Sequence, residues 1–145
     1  MDKKLDFEII KFKEISLGKG NLKKILDLRA IKAEEIYSSD IAKNQIKGWK
    51  MHTTQTSRLY CIDGDVDFFL KNDNDHTLIK IKLNKSDNKI LIIHPENWYA
   101  FRGNDLNNTI MNFASHYHDS NESKINLIKQ TDEENIENKV VKVFS

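Results

Sequence analysis

Lys50-Met51-His52 sets an amine and an imidazole two residues apart. Side chains alternate along an extended strand, so both point to one face and can act on one ligand. Imidazole titrates near neutrality and both gives and takes a proton. A lysine becomes a base where burial disfavours its ammonium form. The pair therefore fits proton transfer, and His52 equally fits a hydrogen-bonded histidine of the interior. Cys61, the single cysteine, excludes an intrachain disulfide and a multi-thiolate zinc cluster. It sits in the apolar run Leu59-Tyr60-Cys61-Ile62 and reads as a buried, inert thiol rather than a nucleophile. His116-Tyr117-His118 is a second His-x-His, but it lies beside the polar Asp119-Ser120-Asn121-Glu122 and reads as an exposed or loop-supporting pair. Trp49 and Trp98 each offer an apolar body and one donor, suited to the core or to stacking on a base or sugar.

The chain that must position these residues has 145 residues, enough for one hydrophobic core and not for two. We expect a single domain over 1–145, with N-terminal strands over 1–45, the core over 46–119 and a tail over 120–145. Charged residues make up 31% and the net charge is +1, so no one-signed field points to nucleic acid or an anionic membrane. Any anionic ligand must be held by a local pocket. Met1-Asp2-Lys3-Lys4-Leu5-Asp6 carries charges where a signal peptide needs its apolar stretch, and no run of about 18 apolar residues occurs. Cytoplasmic localisation is expected, with no membrane partner.

Short apolar or alternating runs separated by Gly, Asn, Asp and Ser clusters are the punctuation of an all-β protein. Strands are expected over Phe7–Phe12, Glu35–Ser39, Ile46–His52, Ser57–Ile62, Val66–Lys71, Leu78–Leu83, Lys89–Ile93, Trp98–Phe101 and Thr109–Phe113. Gly18–Asn21 and Asn72–Asp75 are expected turns. Asp63-Gly64-Asp65 between two apolar runs is the strongest hairpin signal. Between Asn21 and Glu35, Leu22, Ile25, Leu26 and Leu28 have helical spacing, and periodicity favours a helix there. The polar tail ends in Val140-Val141-Lys142-Val143 and suits a short helix, a terminal strand or frayed chain. Many short strands at this spacing make a sandwich or barrel, with a jelly roll among the usual solutions.

Two motifs carry a family resemblance. Lys47-Gly48-Trp49-Lys50-Met51-His52, followed by Gln55-Thr56 and Leu59 to Gly64, resembles the Arg-Gly-Trp/Leu-His-x-His/Gln segment of RmlC-like cupins, the sugar-modifying group of dTDP-4-dehydrorhamnose 3,5-epimerase. Ile93-His94-Pro95-Glu96-Asn97-Trp98-Tyr99-Ala100-Phe101 is similar to the family's Ile-Pro-Pro-Gly-x-Trp-His-Gly-Phe, with the chain's only proline in register. Met111 to Asp119 resembles the last core strand and the His-Asp after it. The resemblance runs from the first strand to about Asp119. It implies a double-stranded β-helix, the cupin jelly roll, and a homodimer.

The departures bear on chemistry. The epimerase base falls at Lys50 and the opposing tyrosine acid at Asn112, so both members of the pair that acts on the two ring faces have changed. The sugar 3,4-ketoisomerases, similar in fold, carry a His-x-His pair of which Lys50-Met51-His52 keeps only the second. There His52 is implied as a proton shuttle between C3 and C4, and Tyr99, replacing a usual histidine, as a second proton carrier or a space-filling phenol. Metal-binding cupins use that His-x-His, a carboxylate and a later histidine. Here those positions hold Lys50, His52, no carboxylate between Thr53 and Ser57, and Tyr99, so neither metal nor cofactor is expected. Lys47 replaces a family arginine. With Lys50, Arg58 and Arg102 it is expected to place positive charge near a mouth that takes a diphosphate, lysine being the weaker, non-bidentate donor. Asn112 and Trp98 complete the expected substrate contacts, with core packing the competing role for Trp98.

Two functions follow from the resemblance. One is an epimerase- or isomerase-like enzyme moving a proton beside the keto group of a nucleotide-linked sugar, for surface polysaccharide or glycan synthesis. The other is a non-catalytic cupin that binds a sugar or nucleotide-sugar or assists a partner enzyme.

Overall fold

The computed structural model describes residues 4–73, 78–128 and 135–145. Among these residues thirteen strands are present: β1 (Phe7–Lys11), β2 (Glu14–Ser16), β3 (Asn21–Lys23), β4 (Glu35–Ala42), β5 (Ile46–His52), β6 (Ser57–Asp63), β7 (Asp65–Lys71), β8 (Leu78–Asn84), β9 (Lys89–Ile93), β10 (Trp98–Gly103), β11 (Asn107–Ala114), β12 (Ser123–Ile125) and β13 (Val140–Phe144). They form a five-stranded sheet of order β1-β9-β6-β11-β4 and a six-stranded sheet of order β12-β5-β10-β7-β8-β13, with β2 and β3 as a separate hairpin. The two sheets face each other as the expected jelly roll. Inward side chains of both, among them Leu59, Val66, Phe68, Ile81, Leu91 and Ile110, fill the core between them.

The central strands bury the side chains that alternation directs inward, as β11 does with Asn108, Ile110, Asn112 and Ala114. β7 is buried on both faces over Val66–Leu70, because the C-terminal segment covers the outside of its sheet. There Trp49, Phe69, Leu78 and Ala100 pack under Ile136 of a 3-10 turn (Ile136–Lys139), with Trp98, Ile128 and Val140 at the margin. Among the described residues, the tail contributes β12, one 3-10 turn and β13. β12 pairs antiparallel with β5, and β13 pairs parallel with β8.

Two local expectations are corrected. No helix forms between Asn21 and Glu35. Leu22 pairs with Ile15 in the β2–β3 hairpin, and Asp27 accepts a hydrogen bond from the Arg29 amide at 3.0 Å, a local turn that competes with helical bonding. Leu22 and Leu28 are exposed rather than gathered on one stripe. Asp63-Gly64-Asp65 is not the turn of a paired hairpin, because β6 and β7 belong to opposite sheets. It is the corner where the chain changes sheet. Gly64 has φ 83°, and a Cβ there would sit 2.3 Å from the Asn107 carbonyl oxygen, so only glycine fits. β4 runs three residues past the expected end at Ser39, to Ala42. The turn expected over 72–75 lies partly outside the described residues.

Candidate active site

The cavity that matters opens inside the roll. It has a volume of about 220 Å3, and its walls come from both sheets. Lys47, Lys50 and Tyr99 stand on the six-stranded sheet, and Tyr37 and Asn112 on the five-stranded sheet.

The first wall depends on an irregularity in β5. Lys50 pairs with Tyr99 and Lys47 with Phe101, so three steps on β5 oppose two on β10. That extra residue is a β-bulge, and it turns Lys47 to the same cavity as Lys50 despite their odd spacing. Gly48 permits it. Its φ is 139°, and a Cβ there would lie 2.5 Å from Ala100 Cβ, a contact no other residue type avoids. Lys47 Nζ donates to Ser39 Oγ at 3.1 Å and also to the Asp40 carbonyl.

Behind this wall sits His52, 4% exposed. Its Nδ1 lies 2.5 Å from Glu122 Oε1, and its Nε2 lies 3.4 Å from both the Tyr99 hydroxyl and Gln55 Nε2. The bond to a carboxylate places the proton on Nδ1 and leaves Nε2 as acceptor. Glu122 in turn accepts the Gln55 amide at 2.8 Å and the Thr54 amide at 3.0 Å. Burial raises the Glu122 carboxyl, but the His52 hydrogen bond and these two amides outweigh it and bring it down to about 2. For His52, burial lowers the imidazole pKa. The Glu122 bond and charge oppose that, and the net direction is down. Burial pushes the Tyr99 phenol well above its ordinary value, against a lowering hydrogen bond with Ser57.

Across the cavity, Asn112 pairs in register with Tyr37, and Asn112 Nδ2 donates to the Tyr37 hydroxyl at 2.7 Å. Asn112 Oδ1 accepts the Arg58 amide at 3.0 Å. Asn112 therefore presents to the cavity a phenol carried by the neighbouring strand.

Of the residues singled out in the sequence, Lys47, Lys50, Tyr99 and Asn112 line the cavity, and His52 stands behind Tyr99. Three do not join them. Arg58 lies between the inward Ser57 and Leu59, so alternation turns it to the outside. There Nη1 donates to the Lys32 carbonyl at 2.7 Å and the Phe113 carbonyl at 3.3 Å. Arg102 follows the inward Phe101 and lies on the outer face, held by Asp67 at 2.8 Å and by Glu137. Trp98 precedes the inward Tyr99, packs in the outer cluster and donates Nε1 to Asp73 at 2.9 Å. Glu122 and Tyr37 were not found from the sequence. Each reaches its partner from 70 or more positions away, a proximity that only strand register creates.

Cys61 is buried, and burial pushes its thiol up to about 12. His116 and His118 are exposed. Among the described residues no three His, Cys, Asp or Glu side chains gather as a metal site, and no helix is long and apolar enough to cross a membrane.

Among solved structures, this fold is similar to a dTDP sugar isomerase from Desulfovibrio desulfuricans G20, at 21% identity over 86% of each chain with a TM-score of 0.77. It is also similar to QdtA, a sugar 3,4-ketoisomerase from Thermoanaerobacterium thermosaccharolyticum in complex with TDP, at 25% identity over 83% of this chain and 88% of that one, TM-score 0.74. The Mycobacterium tuberculosis rmlC epimerase matches at 12% identity over 86% of this chain and 72% of that one, TM-score 0.73. These likenesses establish the RmlC-like cupin fold. No curated protein matches in sequence. The family model FdtA: WxcM-like, C-terminal matches residues 5–140, and the chain belongs to that family.

Proposed function

We propose that this protein is a nucleotide-sugar isomerase or epimerase that moves a proton beside the keto group of a dTDP-linked or similar 4-keto sugar, for polysaccharide or glycan synthesis. The observation that carries this reading is a cavity with proton-carrying groups on opposed walls, Lys50 and Tyr99 on one and Tyr37 on the other. Isomerisation beside a ketone needs a group that removes a proton and another that returns one. Lys50 supplies positive charge for the oxygen that becomes negative as the proton leaves, and Tyr99 and His52 carry the proton. Tyr37, held by Asn112, takes the place of the acid that the sequence lost at 112.

A volume of about 220 Å3 is small beside typical ligand pockets of about 300–1,000 Å3. It suits the sugar ring, with the nucleotide outside the mouth and its diphosphate near Lys47. The similarity to structures whose ligands are TDP and TDP-4-keto-6-deoxyglucose supports that ligand class. A homodimer formed through the sheets belongs to the same reading, and sedimentation would detect it as twice the chain mass.

The test is proton NMR of dTDP-4-keto-6-deoxyglucose with the purified protein in deuterated water. Exchange at C3 with a 3-keto product makes it a ketoisomerase, and exchange at C3 and C5 an epimerase. Saturable binding of this and other keto sugars with no exchange would replace the enzyme by a binding cupin.

A further inference from the structure

We infer that His52 reaches the cavity only through Tyr99, in a Glu122–His52–Tyr99 proton relay for which Glu122, brought in by the C-terminal tail, is the positioning residue. The inference rests on the proton-transfer reading above and assigns roles within it. His52 is absent from the cavity wall, whereas Tyr99 is part of it. The two rings stack with centroids 6.1 Å apart and planes 22° apart, and the phenol oxygen lies 3.4 Å from Nε2.

Glu122 fixes the other end. Both of its carboxylate oxygens are engaged, one by Nδ1 at 2.5 Å and the other by the Gln55 and Thr54 amides. A second tie comes from the backbone: the Thr53 amide donates to the Glu122 carbonyl at 2.8 Å. β12 then continues the pairing, with Ser123 opposite His52. The imidazole is thereby held in the tautomer whose Nε2 lone pair faces Tyr99.

The step balances as one proton moved. As the substrate C–H proton passes to the Tyr99 oxygen, the Tyr99 hydroxyl proton passes to His52 Nε2. The C–H electron pair becomes the enediolate, and the imidazolium is stabilised by the Glu122 carboxylate. Reversal delivers the proton to the neighbouring carbon as the enediolate hydroxyl passes its own proton to the former ketone oxygen, so one C–H and one O–H bond break and one of each forms. Burial raises the Tyr99 phenol, so free tyrosinate is scarce at neutral pH. A phenol that gives as it takes avoids that charge. The charged and titratable groups that bear on His52 are Glu122 just before β12, Tyr99 on β10, Lys50 on its own strand and His118 after β11. Glu122 raises its pKa, and Lys50 and His118 lower it.

The test reads the full chain by nitrogen-15 NMR of its histidines and by the pH profile of sugar proton exchange, in wild type, Glu122→Gln, Glu122→Asp and Tyr99→Phe. The wild type should show a downfield His52 Nδ1–H signal that Glu122→Gln loses and Glu122→Asp keeps. Tyr99→Phe should leave that signal and move the Nε2 resonance. Exchange should fall about 100-fold in Glu122→Gln, with the acid limb of its profile shifted to lower pH because His52 has lost the group that raises its pKa. A purely structural role would lower the rate equally at every pH. An unmoved acid limb, or a Nδ1–H signal that survives in Glu122→Gln, would overturn the relay. Both NMR changes in a wild type that exchanges no keto-sugar proton would support the relay's bonds and sink the assigned reaction instead.

Discussion

Strands β5 and β10 present two faces of opposite character. Inward, Lys50 and Tyr99 border a cavity, and the charges there are not locked to carboxylates of the cavity wall. Outward, Trp49, Trp98 and Ala100 pack under the tail, and Arg102 belongs to a closed network with Asp67, Lys82, Glu137 and Lys80. The same residue types, cation and aromatic, do different work because alternate residues meet different surroundings. A cation facing a cavity is available to a ligand. A cation facing a buried carboxylate is part of the scaffold.

The sharpest break of this comparison is Lys50→Ala against Arg102→Ala. Removing the inward cation should lower kcat about 10²- to 10³-fold, the usual effect of losing one group that stabilises developing negative charge. Its thermal midpoint should stay close to that of the wild type. Steady-state turnover of a keto sugar, measured beside circular dichroism melting, checks both halves. Equal turnover in Lys50→Ala and wild type would remove Lys50 from the site.

The inner face also predicts a pH dependence. Glu122 lies at about 2 against an ordinary 4.5, so its folded-state pKa is depressed. Its contribution is present above pH 4.5 and is lost as pH falls toward 2. At about 1.4 kcal/mol per unit, that contribution is at most about 3 kcal/mol. His52 acts in the same direction. Its folded pKa lies below 6.5, so the unfolded chain takes up a proton there first as pH falls and stability declines below pH 6.5. Urea midpoints from pH 7 to pH 3 should fall in the wild type and fall less steeply in a variant carrying both Glu122→Gln and His52→Asn, which lacks both titrating groups. Parallel curves would show that the pair does not couple to folding.

The two faces were not equally legible in the sequence. The motif frame around Gly48 and Pro95 gave the jelly roll, and Lys50, Tyr99 and Asn112 followed from it by position. Alternation from Tyr99 would have assigned Trp98 and Arg102 to the outside, and alternation from Leu59 would have done the same for Arg58, whereas all three were expected at the substrate. Positive charge near a motif was the weaker guide. Glu122 and Tyr37 were beyond reach of local patterns, because their partners are set by β12 against β5 and by β4 against β11. The apparent helical stripe at Leu22–Leu28 misled because its residues are divided between a hairpin and an Asp27 turn.

On the outer face, Arg102→Ala should act on stability and leave kcat unchanged. Asp67 is 2% exposed and would keep Lys82 at 3.1 Å while losing Arg102 at 2.8 Å. A hydrogen bond to a charged, buried group is worth about 2 kcal/mol, and that is the expected shift in unfolding free energy from urea titration. Glu137 loses the same partner and keeps Lys80, so the 3-10 turn stays anchored. A rise in KM with no loss of stability would move Arg102 from scaffold to substrate.

Arg58→Ala is the finest of these tests, because Arg58 sits on the same strand as the cavity residue Leu59 and differs from it only in direction. Its guanidinium bonds two backbone carbonyls, Lys32 and Phe113, and so ties the segment before β4 to β6 and β11. A partly exposed bond of this kind contributes about 1 kcal/mol, and no more than that should be lost. The Arg58 amide, which bonds Asn112 Oδ1 at 3.0 Å, survives the substitution, so the Asn112–Tyr37 pair keeps its geometry. KM and kcat should therefore match the wild type. A several-fold rise in KM for the nucleotide sugar, steeper at low ionic strength, would mean that the outer face reaches the diphosphate after all. The division of labour between the two faces would then fail at its most discriminating position.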